Sequence, residues 1–378
     1  MIISSNKNNR LLIYFFYDKD GIVDDYVFYM LDEMCKYVKD LVIVTNGKIT
    51  QESTKQLESY TNTILQRENK GFDVWAYKSA MELFGWEKLE AYDEVMLMNH
   101  TIMGPIYPLS EMFSAMEAKD LDFWGVTKFH QADFDPFGTV PYGYLPDHIQ
   151  THFLVVRKSL LATEVFHKYW DEMPMITSYQ DSVGRHEAFF TKHFADMGYK
   201  WDVYVDSEDY RALTYQPIIG TAKQMLEEKR CPFFKRRSFM QDYTIMLSES
   251  CGQEALELYD FLKNHTNYDM DLFWNNILRV ENQADIKKTL HLNYVLPSNR
   301  VLNSQAKEEQ KKIALIMHIY FIDLIGECLH YAKSMPSYAD IYITTNTKEK
   351  KEAIQKAFSE VHCQKLDIRV VPNKGRDV

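Results

Sequence analysis

A few places in this chain group residues able to bind an anion or move a proton. In Asn69-Lys70-Gly71-Phe72-Asp73 the glycine permits close backbone approach, and the carboxylate either meets a polar ligand or caps a helix. In the stretch from Asp181 to Met197, Val183, Phe190, Phe194 and Met197 form an apolar stripe, and His186 and Glu187 fill its missing turn. A carboxylate there is expected to face the core or a cleft, where desolvation raises its proton affinity toward that of a general base. The bland reading of Glu187 is a pair with a neighbouring Arg or Lys at the helix edge. Asp147 and His148 are the second acid–base pair. Asp-x-Asp pairs occur at Asp18/Asp20, Asp120/Asp122, Asp133/Asp135 and Asp269/Asp271. Such a pair holds a divalent metal only in the right context, just after a buried strand, and that place is filled by Asn99-His100-Thr101. The run Lys229 to Arg237 mixes five cations with two Phe. It reads as a solvated basic face or as a contact for anionic lipid or pyrophosphate.

These residues need a scaffold, and the first 130 residues supply an alternating one. Leu11 to Tyr17 is a continuous apolar run, the mark of a strand buried on both faces. Helical spacing follows from Val23 to Val38, then a strand at Leu41 to Thr45, a polar helix near Gln51 to Tyr60, and a short strand at Thr63 to Leu65. A helix from Asp73 to Phe84, stopped by Gly85, and a strand at Glu94 to Met98 complete the series. This alternation predicts an α/β fold whose parallel sheet has helices on both faces. Ligands bind such sheets at the carboxyl ends of the strands, where Asn46, Asn69 and Asn99 lie. A long loop at Phe129 to Gln150 separates this part from a strand at Phe153 to Val156, a helix from Leu160, the Glu187 helix and a strand at Trp201 to Val205. From about Thr214 to Ser304 the patterns are mainly helical and suggest a connector.

An internal repeat organises the rest. Ile43-Val44-Thr45-Asn46 recurs as Ile343-Thr344-Thr345-Asn346, and Asn69-Lys70-Gly71-Phe72-Asp73-Val74 as Asn373-Lys374-Gly375-Arg376-Asp377-Val378. The expected domains are therefore 1–215, a helical connector at 216–305, and the start of a second α/β unit at 306–378. The second copy breaks off where the first begins its next helix, so the chain is expected to be a fragment of a longer protein.

The 378 residues carry 43 Lys+Arg and 54 Asp+Glu, a formal charge of -11, which disfavours broad nucleic-acid binding. With 46% hydrophobic residues the chain is too apolar for disorder. No apolar run reaches the roughly 18 to 20 residues of a membrane span, and no signal peptide is expected. The five cysteines are widely spaced without a CxxC pair, as in a reduced cytoplasmic protein. No G-x-G-x-x-G follows the first strand, which excludes a dinucleotide-binding dehydrogenase.

Several segments together resemble the rhamnan synthesis F family. They are Arg67 to Asp73, Met96 to Thr101 with Gly104-Pro105, Phe123-Trp124-Gly125, His148-Ile149-Gln150-Thr151-His152-Phe153, His318-Ile319-Tyr320 with Asp323, and Asn373 to Val378. The first half is also similar to type-A glycosyltransferases. The resemblance implies transfer of L-rhamnose or a related sugar from a dTDP-sugar to a cell-wall or lipopolysaccharide acceptor, polysaccharide or lipid-linked, with inversion. Such transfer needs a neutralised diphosphate, a base for the acceptor hydroxyl and an oriented sugar. Glu187 is then the candidate base, with His148 and Asp147 as runners-up. Asn46, Asn69, Gly71, Asp73, Lys78 and Gln150 are candidates for the nucleotide sugar. The family's usual Asp is replaced by His100. A divalent cation, Mg2+ or Mn2+, at Asn99 and His100 is one route to neutralisation; cations such as Lys78, Lys128 or Arg185 are the other. The expected location is cytoplasmic, with peripheral contact at the inner membrane face. The rival reading is a non-catalytic glycan- or nucleotide-binding module that kept the fold.

Overall fold

A computed structural model of the chain describes residues 9–240, 253–292 and 312–372. In chain order its strands are β1 (Arg10–Tyr17), β2 (Asp40–Asn46), β3 (Ile64–Arg67), β4 (Glu94–Asn99), β5 (Ile102–Met103), β6 (Phe123–Gly125), β7 (Lys128–Phe129), β8 (His148–Ile149), β9 (Phe153–Arg157), β10 (Trp201–Val203), β11 (Phe234–Lys235), β12 (Ala314–His318), β13 (Asp340–Thr345) and β14 (Lys365–Val370). The main sheet has the order β10-β6-β9-β4-β1-β2-β3. All its pairings are parallel except those of β9, which runs antiparallel to β4 and β6. The expected mixed α/β fold with a mostly parallel sheet is present.

The apolar run in β1 is buried from Arg10 to Phe16 because helices cover both faces of the sheet. Side chains alternate along a strand, so the run feeds two cores. Leu12, Tyr14 and Phe16 pack with Tyr26, Met30 and Met34 of the helix Asp25–Met34. Leu11, Ile13 and Phe15 pack with Val74, Tyr77 and Met81 of the helix Phe72–Phe84, and Phe190 and Phe194 extend that core. At the end of the sheet remote from the loops, the fully buried Glu94 accepts from Arg10 Nε at 2.5 Å, Arg157 Nε at 3.0 Å and Trp124 Nε1 at 3.2 Å. This network joins four neighbouring strands.

Contacts divide the chain into two compact units, Met1–Val295 and Leu296–Val378. Of the stretch expected as a connector at 216–305, residues 216–295 belong to the first unit. Met225, Phe233, Phe234, Phe239, Leu258, Phe273 and Ile277 share one core with Leu12 and Tyr26. In the second unit β12, β13 and β14 form a parallel sheet, as the repeat predicts, over a core of Ile341, Ile343, Ile354 and Phe358. The repeated Asn373 to Val378 lies outside the described residues.

Candidate functional site

The carboxyl ends of β1 and β4 open into a cavity of about 800 Å3. Seven segments from distant parts of the first unit line it.

The loop after β3 enters first. Gly71 has φ +76° and Phe72 φ +53°, two successive left-handed residues. A Cβ on Gly71 would meet Trp75 Cβ at 2.4 Å, so only glycine fits. Phe72 carries a strain of roughly 1–2 kcal/mol, and its partly exposed ring lines the cavity. Asn46 stands behind this loop rather than in the cavity lining. Its amide donates to the Phe72 carbonyl at 3.3 Å, and its oxygen accepts from Arg67 at 2.9 Å.

Gly71, not Asp73, caps the helix Phe72–Phe84. Asp73 is thereby freed for the cavity. Its carboxylate accepts from Asn99 Nδ2 at 2.9 Å and from Ser182 Oγ at 3.4 Å. Burial raises its pKa, and the nearby Glu187 charge adds to the rise.

Asn99 is engaged at both ends, since its Oδ1 accepts from Thr101 N at 3.1 Å and Thr101 Oγ1 at 2.6 Å. His100 sits edge-on between Phe15 and Phe16, with centroids 5.7 and 5.3 Å away. Burial, reinforced by the Arg236 charge, drives its pKa down to about 3, so the ring is neutral at physiological pH. Among the described residues no group of three or more His, Cys, Asp or Glu side chains can hold a metal ion. A divalent cation does not fit the turn after β4: the Asn99 oxygen is spent, and no carboxylate stands in that turn.

Glu187 ends a π-helical turn, Ser182–Glu187, and lines the cavity. Its Oε2 accepts from Thr151 N at 2.9 Å and Thr151 Oγ1 at 2.7 Å. Its Oε1 lies 3.7 Å from Nε2 of the fully buried His148, whose Nδ1 contacts the Pro146 carbonyl at 2.7 Å. Burial alone would raise the pKa of Glu187. The His148 contact, the Lys235 charge and the Thr151 hydroxyl outweigh it and pull the value down to about 2. The expected rise in proton affinity is thus reversed. No edge pair forms with Arg185, which bonds Asp181 at 2.9 Å. His186 turns away and meets the Tyr169 hydroxyl at 2.7 Å, and Met197 is half exposed rather than part of the stripe.

The remaining candidates divide. Gln150 lines the cavity and accepts from Thr127 Oγ1 at 2.8 Å, and Asn69 stands at the rim. Asp147 lies outside the lining, held by both Nη atoms of Arg211 at 3.0 Å. Lys78 is also outside. It is buried against the carbonyls of Trp170 and Asp171, because its helix turns it away from the strand ends. Lys128 is taken by Glu208.

The cations that do reach the cavity are Lys235, Arg236 and Arg237. They belong to the run read as a solvated basic face or as a contact for anionic lipid or an acceptor's pyrophosphate, and they are not among the candidates for the nucleotide sugar. β11 pairs antiparallel with β5, which carries Lys235 to the turn after β4. Lys229 and Arg230 face outward, paired with Asp209 and Glu111. Phe233 and Phe234 are fully buried and cannot reach a lipid surface. The local signal was the abutment of two core-type rings on a cation, which marks a strand end at a cleft as well as an amphipathic surface.

The model of the rhamnan synthesis protein F family matches residues 41–378. The chain belongs to this family. A curated relative, the uncharacterized protein y4gN of Sinorhizobium fredii (strain NBRC 101917 / NGR234), is 22% identical over 189 residues, 50% of this chain and 46% of its own length. The chain thus spans about half the length of that relative. A cytidylyltransferase structure from Leptospira borgpetersenii serovar Hardjo-bovis (strain JB197) aligns over 69% of this chain and 98% of its own, at 12% identity and a TM-score of 0.31. Among the described residues of this rhamnan synthesis protein F family member, no helix is long and apolar enough to cross a membrane.

Proposed function

We propose that this family member transfers L-rhamnose or a related deoxysugar from a dTDP-sugar to a cell-wall or lipopolysaccharide glycan, inverting the anomeric centre. We place it in the cytoplasm, in keeping with the free thiols of Cys35, Cys231, Cys328 and Cys363. The observation that carries the reading is Glu187, an anchored carboxylate in a cavity at the strand ends. Thr151 fixes Oε2 and leaves Oε1 to meet an acceptor hydroxyl. As that hydroxyl attacks the anomeric carbon, the bond to the diphosphate breaks and the hydroxyl proton passes to Oε1. A pKa near 2 makes Glu187 a weak base toward a resting alcohol. Its proton transfer therefore falls late, when the attacking oxygen has become strongly acidic. The Asp73 carboxylate, held by Asn99, can accept a hydrogen bond from the donor, and the Phe72 ring offers a stacking face.

The test is turnover of dTDP-L-rhamnose by purified Glu187→Gln in the presence of acceptor glycan. A fall of about 10^2-fold or more in kcat with little change in donor KM is expected. Unchanged turnover would remove Glu187 from the role. Hydrolysis of a panel of sugar nucleotides by the unaltered chain identifies the donor.

A further inference from the structure

Lys235 presents an unusual electrostatic situation. Its side chain is half-buried at the cavity wall, and its ammonium donates to the neutral Thr101 Oγ1 at 3.1 Å. Among the described residues it has no carboxylate within ion-pair distance, although Glu187 and Asp73 act on it from farther away. Burying a cation without a close counter-charge is costly, and folded proteins accept this where a ligand supplies the anion. A directed chain of hydrogen bonds fixes the ammonium's place. Lys235 donates to Thr101, Thr101 to Asn99, and Asn99 to Asp73. That chain occupies the turn after β4, where a divalent cation does not fit.

Two further cations flank it. Arg236 donates to the Tyr26 hydroxyl at 2.8 Å, and Arg237 to the Tyr179 hydroxyl at 3.1 Å. Burial raises the pKa of both phenols, that of Tyr26 to about 12, so each is a neutral partner in these contacts. Three consecutive cations therefore line the cavity together with Asp73 and Glu187.

We propose that Lys235, flanked by Arg236 and Arg237, binds the diphosphate of a nucleoside diphosphate donor directly and does the work of a divalent metal. The inference rests on the nucleotide-sugar reading above and specifies how that site meets its substrate. As the bond between the anomeric carbon and the diphosphate oxygen breaks, the departing charge falls on groups already in place, and no proton need be supplied to the leaving group. Positively charged side chains with fixed donors hold phosphates in this way.

Calorimetric titration of the full chain with dTDP and dTMP, in chelator and then with added Mg2+ or Mn2+, tests the proposal. dTDP should bind in chelator, and metal should add little. Lys235→Met should weaken dTDP by about tenfold to a hundredfold and bring its affinity close to that of dTMP. Its melting temperature should hold or rise, since a buried charge is removed, which distinguishes lost binding from misfolding. Lys235→Arg should retain most of the affinity. dTDP binding that requires metal, or that survives Lys235→Met unchanged, overturns the proposal and leaves the nucleotide-sugar reading standing. Absence of dTDP binding under both conditions overturns that reading and the proposal together.

Discussion

Glu187 and Lys235 face one cavity, and each contributes to the other's proton affinity. Burial lowers the pKa of Lys235 to about 8, against the opposing pull of Glu187 and then Asp73, while Arg237 adds to the lowering. His100 and His152, whose pKa values are pushed far down by burial and by the neighbouring cations, face the same site as neutral rings. Only charged Lys235 attracts a diphosphate. Affinity for a dTDP-sugar, whose diphosphate carries no proton that titrates in this range, should therefore decline as pH rises through about 8 in the free protein. Bound diphosphate raises the Lys235 pKa, so protons are taken up on binding near pH 8, which calorimetry in buffers of different ionisation enthalpy measures. In Lys235→Arg the decline should vanish, and its persistence there would assign the titration to another group. Gly71, Asp73 and Asn99 were legible in the sequence because local turn chemistry and a preceding strand place them. Lys235 was not, because it reaches Thr101 across 134 residues of chain.

At the scale of elements, the strands were read correctly where both faces are covered. A double-sided burial leaves an unbroken apolar run, as in β1 and β4. The helix running through Glu187 was read as regular, but it begins with a π-helical turn whose extra residue shifts the stripe. That shift places His186 against Tyr169 and Glu187 at the cavity, while Met197 is exposed as the C-cap of the following helix. The register of the sheet depends on Glu94, where the amino end of β1 and the carboxyl end of β9 meet at one carboxylate. Glu94→Ala removes the carboxylate that two buried guanidinium groups, Arg10 and Arg157, share, although Arg10 keeps Glu117 as a second partner. It should cost about 3–5 kcal/mol in chemical denaturation with an unchanged slope. A loss below about 1 kcal/mol would mean that the strands hold their register without the network.

The whole chain is organised by a repeat that composition could not reveal, and the second unit repeats the β2-like strand in β13. Composition did suggest that the helices after Thr214 were a separate connector, because their pattern changes from that of the sheet. They instead complete the first unit, and one ion cluster shows how. Arg279, in the helix Met270–Val280, bonds Asp18 at 2.7 Å and Asp24 at 2.7 Å, just beyond β1 and at the start of the next helix. Burial alone would raise the pKa of Asp18, but Arg279 and the backbone amides of Ile22 and Asp20 outweigh it and hold the value below the usual carboxylate range. A carboxyl with a depressed folded-state pKa adds stability above its unfolded value, near pH 4, and loses it as pH falls through the folded value. Arg279→Met should therefore cost roughly 1–3 kcal/mol at neutral pH, because Asp18, Asp20 and Asp24 lose their shared cation. The cost should shrink as pH falls below about 4, since protonation removes the unpaired charges. Urea melts of both proteins at neutral and acidic pH measure this. A cost equal at both would show that Arg279 acts through the packing of its stem, and that the helices are held to the first unit by the apolar core alone.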